Sequence, residues 1–139
     1  MKRLCKHLIL FAAGGCIYYL IEMLFRGYSH WTMMVLGGIC FVLIGKINES
    51  FFTERMPLLR QGIIGACIVT ALEFVSGLIL NVWLGLDIWD YSNQPYNVMG
   101  QICLLFSMLW ILLSIVAVVV DDWLRYILFG EERPHYVFF

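Results

Sequence analysis

The chain alternates between long apolar runs and short polar interruptions. Four apolar runs can be drawn, at about 8–25, 31–47, 62–86 and 98–120. They are continuously apolar rather than alternating, which favours helices over barrel strands, because a helix in lipid satisfies its own backbone groups. A span needs about 20 helical residues, so the second run is short and the other three are adequate. The pattern predicts an all-α integral membrane protein with four transmembrane helices.

Two of these runs contain a similar tetrapeptide at the same distance before a glutamate. The tetrapeptide Gly-Gly-Cys-Ile at 14–17 precedes Glu22, and Gly-Ala-Cys-Ile at 65–68 precedes Glu73 at the same distance. A second echo relates 35–41 to 98–104, each in the hydrophobic run after the glutamate helix. We interpret the chain as two two-helix repeats, about 6–47 and 61–130, within one transmembrane domain, 1–139.

Positive charges predict how these helices are oriented. Most basic residues fall on one side of the predicted spans: Lys2, Arg3, Lys6, Lys46, Arg55, Arg60, Arg125 and Arg133. Only Arg26 falls on the other side. By the positive-inside rule both termini and the central loop are cytoplasmic, so the two repeats run parallel. The mixed segment 48–60 is predicted to form an interfacial elbow, and 121–130 to extend the last helix into the interface as further short interfacial structure.

Composition and charge narrow the function classes. The 139 residues are 62% hydrophobic with a mean hydropathy of +0.85, as an integral membrane protein requires. A net charge of −1 argues against nucleic acid as a partner. Four spans leave no room for a nucleotide-binding fold, so an ATPase would be a separate polypeptide. The five cysteines show no C-x-x-C spacing, which favours packing roles over a soft-metal site. We therefore expect no metal, cofactor or catalytic residue, and we interpret the first run as a retained span.

Two acids within the apolar runs are the strongest candidates for function. An ionisable group at this depth costs at least about 2.5 kcal/mol and normally faces a protein interior or a wet cavity. Glu22 has Arg26 four residues on, so it either forms that ion pair or serves a binding site. Glu73 has no basic residue nearby, so its partner must be another helix, water, an ion or a proton. The ridge Gly62, Ala66 and Thr70 predicts close helix contact beside Glu73.

The loop before the last run is aromatic and acidic. It carries Trp83, Asp87, Trp89, Asp90, Tyr91 and Tyr96, and no basic residue. Such a loop is either an interfacial aromatic belt or a vestibule that favours cationic or amphipathic solutes. Asn81 and Asn97 are expected near the outer ends of the third and fourth helices. Their amides could bind a solute or hydrogen-bond one helix to another.

Part of this sequence resembles a known family. The residues that carry the resemblance are Leu72-Glu73-Phe74-x2-Gly77, then Trp89-Asp90-Tyr91-Ser92-x2-Pro95-x-Asn97-x2-Gly100, and Trp110. This pattern resembles the bacterial membrane family of ABC-transporter type IV, the CmpB-like permeases. The resemblance covers the second half of the chain strongly and the first half loosely. It implies a small multi-pass protein of the bacterial cytoplasmic membrane with a role in transport.

These observations lead to one main hypothesis and one alternative. The main hypothesis is a transport protein, at least a homodimer, that binds a small solute or cation beneath the loop from Trp83 to Tyr96. This loop is called the outer loop, because the positive charges predict that it lies outside the cytoplasm. Its candidate binding residues are Glu22, Glu73, Trp89, Asp90, Tyr91 and Asn97. The alternative is a non-catalytic membrane subunit or assembly factor whose glutamates pair with a partner helix. An enzyme is disfavoured because the sequence shows no nucleophile and base in a recognisable arrangement.

Overall fold

A computed structural model describes residues 2–47, 57–131 and 133–134. Within these ranges the chain forms four α-helices: α1 (Lys2–Arg26), α2 (Trp31–Gly45), α3 (Leu58–Gly77) and α4 (Leu104–Phe129). α3 continues into a π-helical segment, Leu78–Trp83, and two short strands, β1 (Asn97–Val98) and β2 (Ile102–Cys103), precede α4. The predicted all-helical class is confirmed.

Three of the helices are long and apolar enough to cross a membrane. They are Arg3–Arg26, Leu58–Trp83 and Leu104–Phe129. α2 has 15 residues and is the shorter one that its apolar run predicted. At 1.5 Å per residue it rises about 22 Å, against a hydrocarbon core of about 30 Å. These helices support a membrane location, and crossing by α2 remains a prediction.

The last helix begins later than its apolar run predicted. The apolar run from 98 suggested helix throughout, but 97–103 forms an antiparallel hairpin that pairs Asn97 with Cys103. Its turn places Met99 at φ 54° and Gly100 at φ 73°, the two left-handed positions of a tight hairpin turn. A right-handed helix cannot contain such residues, so α4 begins only at Leu104. It runs on to Phe129, as predicted for this segment, and ends against Gly130 at φ 67°.

The hairpin also makes one part of the predicted internal repeat differ in structure from its counterpart. In the first echo both glutamates lie on helices, Glu22 on α1 and Glu73 on α3. In the second echo 35–41 lies within α2, whereas most of 98–104 lies in the hairpin. The two segments of this second echo therefore have different structures. Gly37 serves helix packing and Gly100 serves a turn, so the same residue type meets different demands at the two places.

The helices pack as two pairs, α1 on α2 and α3 on α4, and α2 contacts both helices of the second pair. Small residues allow this close packing. A Cβ added at Gly65 of α3 would lie 2.7 Å from the Cβ of Ser114 in α4. One turn further along, the Thr70 hydroxyl donates to Ser107 Oγ at 3.3 Å. Within the predicted ridge, a Cβ added at Gly62 would lie 2.5 Å from Ile115 Cγ1 in α4, so the predicted close helix contact is confirmed at Gly62 and Thr70. The pairing agrees with the two-unit interpretation without testing its repeat.

The two ends of the bundle have different interiors. Ile44, Ile47, Leu58 and Val118 form an apolar cluster at one end. Nearby in α4 the buried Arg125 Nε lies 2.9 Å from Asp121 Oδ2. At the other end Met33 of α2 packs with Ile88 and Trp89 of the outer loop.

The segments predicted to lie at the membrane interface are only partly described. Residues 48–56 of the elbow lie outside the described residues, as do 132 and 135–139 of the tail. The last part of the predicted elbow, 58–60, belongs instead to the first turn of α3. A proline at position 57 precedes that turn, where its missing N–H costs nothing.

Candidate functional site

The outer loop is attached to the end of α3 through Asn81. The Asn81 Oδ1 accepts from the backbone N–H of Ile88 at 2.7 Å. The Asn81 amide also donates to Gln101 Oε1 at 2.9 Å. Asn81 lies in the π-helical segment, whose wider turn departs from the α-helical path. Of its two predicted uses, the structure shows the bonding of one element to another.

The loop folds back onto the hairpin beneath it. The Tyr91 backbone N–H donates to the carbonyl oxygen of Gly100 at 2.7 Å. The Trp89 indole N–H donates to the Gln101 carbonyl oxygen at 2.9 Å, and only 6% of Trp89 is exposed. Gln101 thus supports the loop through its backbone and side chain. Trp89 is a buried anchor and not a free interfacial aromatic.

Glu73 is held by two aromatic side chains from different elements. The Tyr91 hydroxyl donates to Glu73 Oε2 at 3.1 Å, and the Trp110 indole donates to Oε1 at 3.2 Å. Glu73 is 4% exposed, and each of its carboxyl oxygens accepts a hydrogen bond from the protein. Burial, followed by the nearby carboxyl group of Glu73, raises the pKa of Tyr91 well above its usual value. The Tyr91 hydroxyl therefore keeps its proton and acts as a donor.

Glu22 forms the ion pair that its spacing predicted. Arg26 Nη1 donates to Glu22 Oε2 at 3.1 Å, and the Tyr18 hydroxyl donates to Oε1 at 3.1 Å. The same guanidinium reaches the outer loop, where Nη2 donates to the Ile88 carbonyl oxygen at 2.6 Å. It also donates to the Tyr28 hydroxyl at 3.0 Å. Glu22 and the loop are thereby joined through one arginine.

The two glutamates are connected by an aromatic contact. The ring of Tyr18, which binds Glu22, lies 6.2 Å from the ring of Trp110, which binds Glu73. On the other side Tyr91 stacks on Phe106 at 4.9 Å with an interplanar angle of 12°. These contacts gather residues from α1, α4 and the outer loop around one space.

That space is a cavity of about 740 Å³ beneath the outer loop. Its charged lining residues are Glu22, Arg26, Asp87 and Asp90. Its aromatic lining residues are Tyr18, Phe25, Tyr28, Trp89, Tyr91, Phe106 and Trp110. A smaller cavity of about 110 Å³ shares Tyr18 and Trp110 and extends along α2. Glu22 lines the larger cavity directly, whereas Glu73 lies behind it, in contact with Tyr91 and Trp110.

Asp90 lines the cavity, whereas Asn97 lies in the hairpin before α4. Asp90 is exposed at the cavity and accepts hydrogen bonds from the backbone N–H and hydroxyl of Ser92, which lower its pKa. Asn97 lies in β1 and not at the end of a helix, because the chain turns there before α4 begins. Its amide donates to the Gln94 carbonyl oxygen at 2.8 Å, and its Oδ1 accepts from the Gly100 N–H at 3.1 Å. Asn97 therefore shapes the loop.

Of the predicted site residues, the structure brings Glu22, Trp89, Asp90 and Tyr91 to the cavity wall. Two important residues were missed as site residues. Gln101 was overlooked, although a polar amide inside an apolar run could have drawn attention to it. The reach of Arg26 to Ile88, 62 residues away in sequence, carries no local signal. Among the described residues no group of three or more His, Cys, Asp or Glu side chains could hold a metal ion.

Comparison with known proteins places the chain in a family. The model of the family described as "Putative ABC-transporter type IV" matches residues 9–129. The match includes all four described helices except the first residues of α1, together with the outer loop and its aromatic contacts. No solved structure matches the chain. The family and the membrane-length helices support a role related to membrane transport, and the chain belongs to the ABC-transporter type IV family, as the resemblance in its sequence indicated.

Proposed function

We propose that the chain takes part in membrane transport by binding a small solute or cation in the cavity beneath the outer loop. The observation that carries the proposal is that both intramembrane glutamates are tied to this cavity. Glu22 lines it, and both partners of Glu73 line it. A volume of about 740 Å³ lies within the range of small-molecule sites.

The contacts support a different part for each acid. Glu22 offers a carboxylate to a bound group, because it faces the cavity. Glu73 positions two walls of the cavity through Tyr91 and Trp110. Since Tyr91 belongs to the loop and Glu73 to α3, a change at Glu73 would be passed to the loop. Asp90 adds negative charge at the wall, while Trp89 and Asn97 keep the loop in its shape.

The proposal includes a setting and a topology. The protein lies in the cytoplasmic membrane of a bacterium with four spans and both termini in the cytoplasm, and it catalyses no reaction. Support comes from the family match and from the distribution of basic residues. Fusions of a reporter enzyme after residues 28, 50 and 94 test it. Cytoplasmic activity only at the central fusion is expected, and any other pattern contradicts the topology.

A homo-oligomer is also part of the proposal, although the size of the cavity no longer argues for one. Four short spans suggest that one chain encloses little space for a site. A single chain already contains the cavity of about 740 Å³, so the site does not require a second copy. Native mass spectrometry of the gently extracted protein gives the copy number directly.

The experiment that tests binding uses the purified full chain in detergent. A thermal-shift panel of small cations, anions and neutral solutes is compared between the wild type, Glu22→Gln, Glu73→Gln and Glu131→Gln. Glu131 provides the control, because the same chemical change is made beyond the far end of α4. Stabilisation by at least one solute, reduced in the first two variants and kept in the control, is expected. No stabilised sample, or equal loss in all variants, contradicts the proposal.

A second candidate function is a membrane subunit of a larger transporter. It is favoured by the family description, which names an ABC transporter, whereas these 139 residues contain no glycine-rich phosphate-binding motif. Native mass spectrometry separates the two candidates. Release with an ATPase and without any small molecule favours the subunit, and release with a discrete ligand favours the binding protein.

A further inference from the structure

Among the described residues that line the cavity, Arg26 alone is basic. Its guanidinium meets three kinds of partner: the Glu22 carboxylate at 3.1 Å, the Ile88 carbonyl oxygen at 2.6 Å, and Tyr28. The guanidinium carbon lies 4.6 Å from the centre of the Tyr28 ring, and the Tyr28 hydroxyl accepts a hydrogen bond from Nη2. A carboxylate, a carbonyl oxygen and an aromatic face are together the groups that bind an organic cation.

The charge of the lining points to the same ligand class. Three acids line the cavity, Glu22, Asp87 and Asp90, against Arg26 alone. Arg26 already donates to Glu22, to Tyr28 and to Ile88, so its donors are directed at the protein's own acceptors. When Arg26 turns away, the described lining keeps three acids and no base. Such a lining favours cations over anions by simple electrostatics.

The aromatic residues that line the cavity indicate what kind of group carries the positive charge of the ligand. Seven aromatic side chains surround the space, including Tyr91 stacked on Phe106 and Tyr18 beside Trp110. Aromatic faces bind apolar groups and attract cations through their quadrupole. A bare metal ion would leave most of a 740 Å³ cavity unfilled, whereas a cation with an apolar body can occupy it.

The position of Arg26 allows it to leave. It is the last residue of α1, and Gly27 follows at φ 77° with no atom within 4 Å of where a Cβ would stand. Its side chain therefore lies at a helix end next to open space, where a new rotamer needs no helix movement. Because Arg26 also holds Ile88, its release would free one attachment of the outer loop.

We propose that the cavity binds monovalent organic cations with a guanidinium or ammonium head and an apolar body. In the unloaded protein Arg26 fills the place of that head group as a tethered competitor. The incoming cation displaces it from Glu22, Tyr28 and Ile88. The inference rests on the proposed function and names its ligand class.

The test measures equilibrium binding of benzylguanidinium to the full chain in detergent by isothermal titration calorimetry. Benzylurea serves as the neutral counterpart and phenylacetate as the anion. Removing the competitor with Arg26→Gln should tighten benzylguanidinium binding about tenfold, since a charge-assisted hydrogen bond is no longer displaced. Glu22→Gln should weaken it at least about tenfold, because the cation loses its counter-charge. Arg60→Gln is the matched control, since Arg60 is exposed in α3.

A second variant of Arg26 shows whether a change in binding arises from misfolding. Arg26→Lys keeps the positive charge but cannot reproduce the fork that contacts all three partners at once. It should tighten benzylguanidinium binding by a smaller factor than Arg26→Gln. Benzylurea should bind more weakly than benzylguanidinium to every variant that keeps Glu22.

The outcomes separate this inference from the proposed function. Unchanged or weaker benzylguanidinium binding in both Arg26 variants overturns the tethered competitor. Binding of phenylacetate that is lost in Arg26→Gln and kept in Arg26→Lys identifies an anion site, which overturns the inference and leaves the proposed function standing. If none of the three probes binds, the inference is refuted, and the solute panel described above decides on the proposed function.

Discussion

Removing one oxygen atom from Tyr91 tests whether the outer loop is fastened to the intramembrane acid. The Tyr91 hydroxyl donates to Glu73 Oε2 at 3.1 Å, while its ring stacks on Phe106 at 4.9 Å. Tyr91→Phe deletes the hydrogen bond and keeps the ring. The variant therefore changes the attachment to Glu73 without removing the apolar contact.

The size of the effect follows from the burial of Glu73. Hydrogen bonds inside membrane proteins contribute about 0.6 kcal/mol on average and up to about 1.7 kcal/mol. Leaving a buried acceptor without its donor costs about 1–3 kcal/mol. Since Glu73 is 4% exposed, water cannot readily replace the lost donor. We expect Tyr91→Phe to lower the free energy of unfolding by about 1–2 kcal/mol.

The assay is reversible unfolding in mixed detergent micelles, followed by circular dichroism. Tyr96→Phe is the control, because it makes the same chemical change at a side chain that is 79% exposed. A double-mutant cycle with Glu73→Leu isolates the pair, and the coupling should be about 1 kcal/mol. Equal losses from Tyr91→Phe with and without Glu73 would refute the reasoning, as would a loss no larger than that of the control.

Two further predictions concern the loop and its support. Gly77→Ala places a Cβ 2.5 Å from Gln101 Oε1 and should cost about 1–3 kcal/mol in the same unfolding assay; a neutral effect would contradict the close packing. Hydrogen bonds from Ser92 lower the pKa of Asp90, so its stabilising contribution is complete above the ordinary pKa of about 3.9 and is lost as the pH falls through the lowered value. Ser92→Ala should raise the pKa of Asp90 in a carbon-13 NMR titration, and an unchanged value would show that the hydroxyl has no such role.

The helices were predictable because lipid leaves few alternatives for an apolar run. Four runs correspond to four helices in the described part of the chain, and the short second run gave the short α2. The ion pair of Glu22 with Arg26 was one of two predicted options, since residues four apart meet on one helix face. Hydropathy was sufficient to predict the helices, and the four-residue spacing was sufficient to predict the ion pair. Both are local properties of the sequence.

The hairpin and the site contacts depend on longer-range effects. Hydropathy cannot distinguish an apolar helix from the apolar strand at Val98, and the turn at Met99 and Gly100 requires backbone angles that no periodicity encodes. The partners of Glu73 come from a loop and from another helix, 18 and 37 residues away. Sequence could show that Glu73 needed partners. Only the packing of α4 and the folding of the loop determine that they are Tyr91 and Trp110.

The π-helical segment Leu78–Trp83 determines the direction in which Asn81 points around the helix axis relative to Glu73. In an unbroken α-helix, Asn81 would be rotated about 80° from Glu73, because eight residues make two full turns and a remainder. A wider turn rotates less per residue, so it brings Asn81 closer to the direction of Glu73. One side of this helix thus holds the same loop at two heights roughly 12 Å apart, through Tyr91 at the lower and Ile88 at the upper.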